Sequence, residues 1–315
     1  MAAQAPRMPA PDRGALASSP GRKAGRETDR ETDRETGPEI GRSTGRPAGW
    51  RPTPFLAASG LLHAAGLLAF AAVPRQWPWI TGTLLADHCI IALAGLLPRA
   101  SWLGENLCQL GSEAAGRGEV ALTFDDGPDA EVTPQVLDLL TERGVRATFF
   151  LVGHRAAALP ELTSEIARRG HRIENHTWSH PNTFAFYPPP VLAREILRAQ
   201  EVLTELAAAP PRLFRAPAGI RSLFLDPLLV RHGLTLASWT RRGYDTLDHD
   251  PRRVAGRLLG GVAAGDVLLL HDGPTVARAA GGRPVVLEAL ARVLDGLAGR
   301  GLFPVPFTAP EAGVE

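Results

Sequence analysis

The feature that most constrains this chain is a regular alternation of apolar runs with amphipathic helical runs between about residues 117 and 307. EVALTFDD at 119–126 is typical of a buried strand, and TPQVLDLLTERG at 133–144 is typical of a helix that begins at Thr133 and ends at Gly144. Strands that are apolar on both faces belong to parallel sheets covered by helices. About seven such units predict a parallel (β/α) barrel, complete or incomplete, with an open doubly wound sheet as the alternative. No GxGxxG follows the first strand, which disfavours the dinucleotide-binding form of that alternative.

The polar residues of this region are concentrated at the carboxyl ends of the predicted strands. The later strands are predicted at 147–153, 171–176, 212–217, 235–239, 266–272 and 302–307. The strand-end residues are Asp125, Asp126, His176, Arg215, Trp239, His271 and Asp272. Because the catalytic groups of a parallel β/α barrel collect at this edge, we expect an active site there.

Two groups at this edge indicate a metal site. Asp125 and Asp126 would point to opposite sides of an extended strand, but a turn at Gly127 would bring both to one cavity; an ordinary DDGP turn is the alternative. His176 and His180 are four residues apart and present both rings to one side if they lie on a helical turn. Two histidines with one carboxylate form a three-ligand zinc site with an open position, which cobalt or manganese also fits.

His271 and Arg215 complete the polar set. His271 follows four apolar residues, 267–270, and its place at the same sheet end makes it a candidate general acid. A histidine satisfied by its own backbone surroundings is the alternative. Arg215 is expected to orient one of the carboxylates rather than to serve as a plain surface cation.

Residues 1–52 are expected to form a disordered N-terminal tail. They are rich in Pro, Gly, Arg, Thr and Glu, include the repeat RETDRETDRET at 26–36, and hold almost no large apolar residue before Trp50. Such a segment cannot bury a core. A helix with opposite charges in register is the weaker alternative because it has no apolar face.

Residues 53–98 form a hydrophobic segment that predicts one or two membrane helices. The run 55–73 is uncharged and long enough to span a membrane, whereas Asp87 and His88 interrupt the run 80–98. The tryptophans of the intervening RQWPW suit a membrane interface. We therefore expect membrane association, in a bacterium at the inner membrane, with a buried helical hairpin of a soluble protein as the alternative.

The side of the membrane is left open by the sequence. Arg42, Arg46 and Arg51 precede the first run and favour a cytoplasmic N-terminus. One span would then place the remainder outside the cytoplasm, and two spans would return it to the cytoplasmic face.

Composition excludes two kinds of site. A formal net charge of +1 and an aromatic content of 6% argue against a nucleic-acid groove. The two cysteines, Cys89 and Cys108, form no CxxC pair, which excludes a thiolate zinc site. Cys89 lies inside an apolar run, so no disulfide is expected.

Taken in order, the motifs between residues 117 and 307 resemble those of the polysaccharide deacetylases, the NodB-homology group or carbohydrate esterase family 4. Five segments carry the resemblance: TFDDGP at 123–128, HTWSH at 176–180, RAPAG at 215–219, WTRRGYD at 239–245 and LLLHD at 268–272. Five motifs in the family's order are far more specific than any one of them. The resemblance implies a distorted (β/α) barrel of about seven strands that acts as a metal-dependent carbohydrate N-deacetylase.

The resemblance also implies roles for individual residues. Asp125 would be the general base, paired with Arg215, and His271 the general acid, tuned by Asp245. Asp126, His176 and His180 would hold the divalent metal. The remaining substrate contacts would be the Ala218 backbone N–H, the Trp239 ring and Leu269, which would line the pocket for the acyl methyl group.

Two departures from the family pattern bear on the substrate. Ala218 stands where the family usually carries an aromatic residue, and the fourth motif brings Arg241 and Arg242, which would meet a phosphate or carboxylate of the substrate or else remain solvated. Three alternative functions are therefore considered. They are deacetylation of an extracytoplasmic polymer, deacetylation or deformylation of a lipid-linked sugar at the membrane face, and non-catalytic glycan binding.

Overall fold

A computed structural model of the chain describes residues 49–309. The tail predicted for residues 1–52 lies outside the described residues, except for 49–52. The strands are β1 (Glu119–Asp125), β2 (Thr148–Leu151), β3 (Arg172–Asn175), β4 (Leu213–Phe214), β5 (Thr235–Leu236), β6 (Arg241–Arg242), β7 (Val267–His271) and β8 (Phe303–Val305). The α-helices are α1 (Pro54–Ala72), α2 (Trp77–Leu96), α3 (Ser112–Gly116), α4 (Val132–Glu142), α5 (Gly153–Ala158), α6 (Pro160–Arg168), α7 (Pro189–Leu206), α8 (Leu225–Arg231), α9 (Pro251–Leu259) and α10 (Val285–Ala298).

The strands form one parallel sheet in the order β5-β4-β3-β2-β1-β7-β6. Every pairing between these strands is parallel, with helices in the connections, as the apolar strand pattern predicts. β8 pairs with the first half of β1, where Glu119 lies beside Phe303. The sheet curls into an incomplete barrel, so the prediction of a distorted parallel (β/α) barrel is confirmed.

Side chains alternate between the two faces of the central strands. Leu122 and Phe124 pack outward, with Phe149 and Leu270, against the covering helices. Ala121 and Leu269 point to the inside of the curl, where Phe150 and Trp239 also lie. Since alternate strand residues share a face, Asp125 follows Ala121 to the inside and His271 follows Leu269.

The structure differs from the prediction at the edges of the sheet. The strands expected at 212–217 and 235–239 are shorter than predicted. They pair with their neighbours only over β4 and β5, which have two residues each. β6 was not predicted, because a two-residue strand of arginines carries no apolar signal. The expected helix start at Thr133 is also wrong: α4 begins at Val132, and the Thr133 hydroxyl instead donates to Asp272 Oδ2 over 2.6 Å.

Helices α1 and α2 form an antiparallel hairpin joined by the short 3-10 turn Pro74–Gln76. By length and composition, both helices are apolar enough to cross a membrane. Only 6% of the apolar stretch of α1 and 17% of that of α2 is buried, so the described residues do not enclose this hairpin as a core. Cys89 on α2 and Cys108 are both free thiols, as expected.

Candidate active site

One cavity of about 290 Å³ at the carboxyl edge of the sheet brings together five of the seven predicted strand-end residues. Arg215 and Asp272 are buried outside its walls. Its walls include Asp125, Asp126, His176, His180, Asn182, Ala218, Trp239, Arg242, Thr246, Leu247, Leu269, His271 and Thr275. The cavity therefore combines residues from all five sequence motifs.

Asp125 and Asp126 both face this cavity because the chain turns between them. Asp125 is the last residue of β1, and Asp126 has a positive φ of 73°. Its backbone C=O accepts a hydrogen bond from the Arg155 guanidinium, which fixes the turn. The left-handed conformation, rare for a non-glycine residue, brings the second carboxylate to the same side as the first.

The predicted metal ligands lie together. Asp126 Oδ1 is 3.3 Å from His176 Nε2 and 3.1 Å from His180 Nε2, and the two imidazole centroids are 4.8 Å apart. His176 Nδ1 lies 2.8 Å from the Arg215 backbone oxygen, so this nitrogen carries the proton and Nε2 offers its lone pair to the cluster.

The two histidines do not share a helical turn, so that part of the prediction is wrong. The segment after β3 is a loop in which Thr177 and His180 have φ values of 67° and 52°. Asn175 Oδ1 accepts from the Thr177 N–H and Thr177 Oγ1 accepts from the His180 N–H, each over 3.0 Å. These side-chain bonds, rather than helical spacing, bring both rings to one side.

Protonation in the cluster suits a cation. Burial by itself would raise the pKa of the Asp126 carboxyl, but hydrogen bonding to His176 and the charges of both histidines hold that pKa well below its usual range. Burial, assisted by His176, lowers the pKa of His180 to about 4. One anionic carboxylate thus faces a neutral imidazole at physiological pH.

Asp125 is held by a fully buried arginine. Arg215 Nη1 donates to Asp125 Oδ1 over 2.6 Å and to Thr123 Oγ1 over 2.9 Å. The guanidinium lies 3.9 Å from the Phe150 ring centroid and also donates to the backbone oxygens of Ala237 and Ser238. A buried arginine with this many acceptors fixes the orientation of the Asp125 carboxylate.

His271 is paired with Asp245. The His271 Nδ1–H donates to Asp245 Oδ1 over 2.8 Å, and its backbone N–H donates to Oδ2 over 2.8 Å. Burial alone would lower the pKa of His271, but the fully buried Asp245 carboxylate outweighs it and raises that pKa to about 9. The imidazole is therefore a cation at neutral pH, with its Nε2 as the remaining donor.

The three predicted substrate contacts also line the cavity. Ala218 lies in a short 3-10 turn with a φ of 55°, and Trp239 is largely buried beside it. A Cβ on the next residue, Gly219, would stand 2.6 Å from the Trp239 ring, so only glycine lets the turn pack against the indole. Leu269 projects from the centre of β7 to the cavity floor.

The two arginines of the fourth motif have different surroundings. Arg241 Nε pairs with Asp266 over 2.6 Å, and its other nitrogens donate to the Gly260 and Gly261 backbone oxygens. The expectation that Arg241 meets substrate or solvent is therefore wrong, since Asp266 and two backbone oxygens at the edge of the sheet accept its hydrogen bonds. Arg242 lines the cavity, and in the described part of the chain no carboxylate lies within ion-pair distance of it.

Several wall residues were missed by sequence reasoning. Thr275 Oγ1 donates to Asp126 Oδ2 over 3.2 Å, and Asn182, Thr246 and Leu247 complete the rim. All four lie in loops between the recognisable strands and helices. Neither periodicity nor motif spacing marks such positions, so no signal in the sequence identified them.

Comparison with known proteins gives consistent matches over the barrel. Residues 112–237 match the family profile described as polysaccharide deacetylase. The chain is 35% identical over 176 residues to a peptidoglycan-N-acetylglucosamine deacetylase of Bacillus cereus, covering 55% of this chain and 62% of that protein. It is 33% identical over 201 residues to a chitooligosaccharide deacetylase of Bradyrhizobium, covering 62% of this chain and 92% of that protein.

A solved structure shows the same likeness in three dimensions. The crystal structure of the Bc1960 peptidoglycan N-acetylglucosamine deacetylase superposes with a TM-score of 0.58 at 32% sequence identity. The match covers 64% of this chain and 90% of that one. The family profile begins at residue 112, so the hairpin and the N-terminal tail lie before the region that it matches.

Proposed function

Because the chain belongs to the polysaccharide deacetylase family, we propose that it is a metal-dependent hydrolase that removes the N-acetyl group from an amino sugar of a polysaccharide or glycoconjugate. The observation that carries the proposal is the convergence of three groups in one cavity: the arginine-held Asp125, the Asp126–His176–His180 cluster and the cationic His271. Residues 117–307 would form the catalytic domain.

The donor set fits a divalent metal. One carboxylate oxygen and two imidazole nitrogens lie within 4.8 Å of one another, and the second nitrogen of His176 is engaged by a backbone oxygen, as is usual for a ligating histidine. Three protein ligands with an open position are typical of catalytic zinc, and cobalt or manganese would suit the same donors. Such a metal would polarise the amide carbonyl and lower the pKa of a nearby water.

The protein's own residues supply the proton transfers. Asp125, oriented by Arg215, accepts a proton from the water that adds to the amide carbon. His271, kept protonated by Asp245, donates a proton through Nε2 to the departing sugar nitrogen. The C–N bond breaks, and the products are a carboxylate and a free amino sugar, so that one water is consumed for each amide.

The neutral wall residues position the acyl group. The Ala218 backbone N–H would donate to the oxyanion that develops on the amide oxygen. Leu269 and Trp239 give the cavity an apolar surface against which the methyl of an acetyl group would pack.

One observation favours the second candidate substrate, a lipid-linked sugar. The Arg242 guanidinium carbon stands 5.5 Å from the Trp239 centroid and 5.1 Å from the Tyr244 centroid. A cation at the cavity wall with no carboxylate partner in the described residues suits a phosphate or carboxylate on the substrate. The exposed apolar hairpin supports a membrane location for such a substrate.

The proposal is tested by product release from the purified full chain. Acetate and formate would be measured on chitooligosaccharide, peptidoglycan and lipid-linked amino sugars, with and without a chelator. We expect chelator-sensitive release from at least one of them. Binding of these glycans with no release from any substrate, even with added zinc, would instead identify a non-catalytic glycan-binding protein.

A further inference from the structure

The base of the α1–α2 hairpin, formed by the start of α1 and the end of α2, is attached to the catalytic domain on both sides. Before α1, the Trp50 indole N–H donates to Asp226 Oδ2 over 2.7 Å, and the Thr53 hydroxyl donates to the Trp102 backbone oxygen over 2.6 Å. In the last turn of α2, the Gly95 backbone oxygen accepts a hydrogen bond from the Arg221 backbone N–H over 3.1 Å. Both ends of the hairpin are thus fixed to one surface of the domain.

Arg221 strengthens this attachment and links it to the active site. Its side chain is buried and donates to the Ala100 backbone oxygen just beyond α2. It lies only three residues after Ala218, which lines the cavity. Leu223 and Phe224, 36% and 45% exposed, follow in the same segment. The segment that forms one wall of the cavity therefore also carries the base of the hairpin.

Tryptophans mark both ends of the hairpin. Trp50 and Trp102 lie at the base and are 39% and 51% exposed, whereas Trp77 and Trp79 lie at the tip and are 58% and 78% exposed. These are four of the six tryptophans in the chain. Between the two pairs run helices of 19 and 20 residues, which at 1.5 Å per residue match a hydrocarbon core of about 30 Å. Aromatic residues at both ends of such a span are typical of a bilayer-crossing hairpin.

The polar residues within the two helices largely face one another. The Ser59 hydroxyl donates to Asp87 Oδ2 over 2.6 Å, and His63 Nδ1 lies 3.8 Å from the same oxygen. The Asp87 side chain is buried between the helices, while Leu67, Leu68 and other large apolar side chains point outward. An acidic group that interrupts an apolar span is tolerated when its neighbouring helix supplies the partner.

The positive charges are asymmetric along the hairpin. The chain before α1 carries Arg42, Arg46 and Arg51, and Arg99 follows α2, whereas the tip holds Arg75 alone. Arginines close to the ends of spans accumulate on the cytoplasmic side of a membrane. The base, where the catalytic domain is attached, is the arginine-rich end.

We propose that α1 and α2 cross the bilayer as a hairpin whose base, together with the catalytic domain, faces the cytoplasm. Because the two helices are antiparallel and both ends of the base contact one domain, Arg51 and Arg99 lie on the same side as the cavity. If the proposed deacetylase function also holds, the substrate is an N-acylated amino sugar presented on a lipid at the cytoplasmic face. An assembled wall polymer lies on the opposite side of that membrane.

Cysteine labelling of the full chain tests the orientation. Cys89→Ser and Cys108→Ser provide a cysteine-free background for two single variants: Gln76→Cys at the exposed tip and Glu113→Cys on the exposed surface of α3. A membrane-impermeant maleimide would be added to spheroplasts of a bacterial host. We expect Gln76→Cys to react in intact spheroplasts and Glu113→Cys to react only after lysis, and lysed samples control for the reactivity of each thiol.

The other outcomes overturn the inference. Labelling of Glu113→Cys but not Gln76→Cys in intact spheroplasts reverses the orientation, and labelling of neither before lysis shows that the hairpin does not cross. Should the background variant fail to accumulate, fusions after Glu315 of the natural chain give an independent measurement: fluorescent protein should be bright and alkaline phosphatase inactive. Neither measurement depends on enzymatic activity, so the topology and the proposed reaction fail separately.

Discussion

At the scale of single residues, the cavity gives two adjacent carboxylates different partners. Asp125 faces a buried guanidinium at 2.6 Å, whereas Asp126 faces two imidazoles at 3.1 and 3.3 Å. A carboxylate fixed by arginine remains available to accept a proton from water, and one surrounded by imidazoles suits a cation. The different roles that we propose for Asp125 and Asp126 therefore follow from their neighbours, since both residues are aspartates.

Replacing Asp125 with Asn should remove the proton acceptor and leave the metal ligands in place. We expect kcat to fall by about 10²–10⁴-fold, the usual contribution of a general base, with zinc content of the purified protein unchanged. Initial rates of acetate release and metal analysis measure the two quantities. Asp138→Asn is a matched control, because that carboxylate pairs with Arg169 on the surface. Wild-type turnover in Asp125→Asn would refute the assigned base.

Replacing Asp245 with Asn should shift the alkaline limit of activity. Activity that requires protonated His271 is present below the pKa of that residue, about 9, and is lost as pH rises through it. Burial lowers the pKa of His271, and without the Asp245 carboxylate only the more weakly acting charges of Asp125 and Asp126 oppose it. The alkaline limb of kcat/KM against pH should therefore move from near 9 to lower pH. An unmoved limb would show that another group sets it.

At the scale of helices and strands, β1 organises the site. It pairs with β2 and β7 on its two edges, so that Asp125 lies beside Phe150 on one side and His271 on the other. The helix that follows also supports the site, because Thr133 in the first turn of α4 bonds to Asp272 directly after β7. Asp272 is fully buried, and burial raises its pKa to about 7.

Replacing Thr133 with Val should destabilise this contact between α4 and β7. The substitution keeps the volume but removes the hydroxyl that donates to Asp272 Oδ2. Because Asp272 Oδ1 already has no hydrogen-bond partner among the described residues, the buried carboxyl group would be left without any. Leaving a buried polar group unpaired costs about 1–3 kcal/mol in the free energy of unfolding. Denaturant unfolding measures the loss. Thr141→Val on the same helix should cost less. The Thr141 hydroxyl donates to the Leu137 backbone oxygen and accepts from Arg169 over 3.4 Å, but Thr141 is exposed to water. Equal losses would contradict the assigned role.

At the scale of the whole molecule, the catalytic domain and the hairpin are joined at the segment that includes Ala218 and Arg221. The barrel matches relatives named for peptidoglycan and chitooligosaccharide deacetylation, whereas the hairpin lies before the region that the family profile matches.

Metal binding should stabilise the folded chain as a whole. A ligand that binds only the native state at 100 times its Kd adds about 2.7 kcal/mol to the free energy of unfolding. We expect added zinc to raise the Tm of chelator-treated protein, measured in detergent, and to restore activity. His180→Gln removes one ligand and should reduce the rise, whereas His154→Gln, an exposed histidine outside the cavity, should not. An equal rise in both variants would place the zinc elsewhere.

The sequence by itself determined the parallel (β/α) barrel and the strand-end set of polar residues. Apolar runs of strand length and helices with one apolar stripe are local signals, and parallel strands must end at a common edge. The order of the five motifs identified the family for the same reason, since each motif is contiguous in the chain.

Only the tertiary structure decided how these residues meet. The positive φ of Asp126, the loop bonds that orient His176 and His180, and the loss of Arg241 to Asp266 each depend on partners from distant segments. The attachment of both ends of the hairpin to the domain could likewise not be predicted from two separate apolar runs. Contacts between residues far apart in the chain leave no periodic pattern, which is why the sequence predicted many of the residues that line the cavity but not their arrangement.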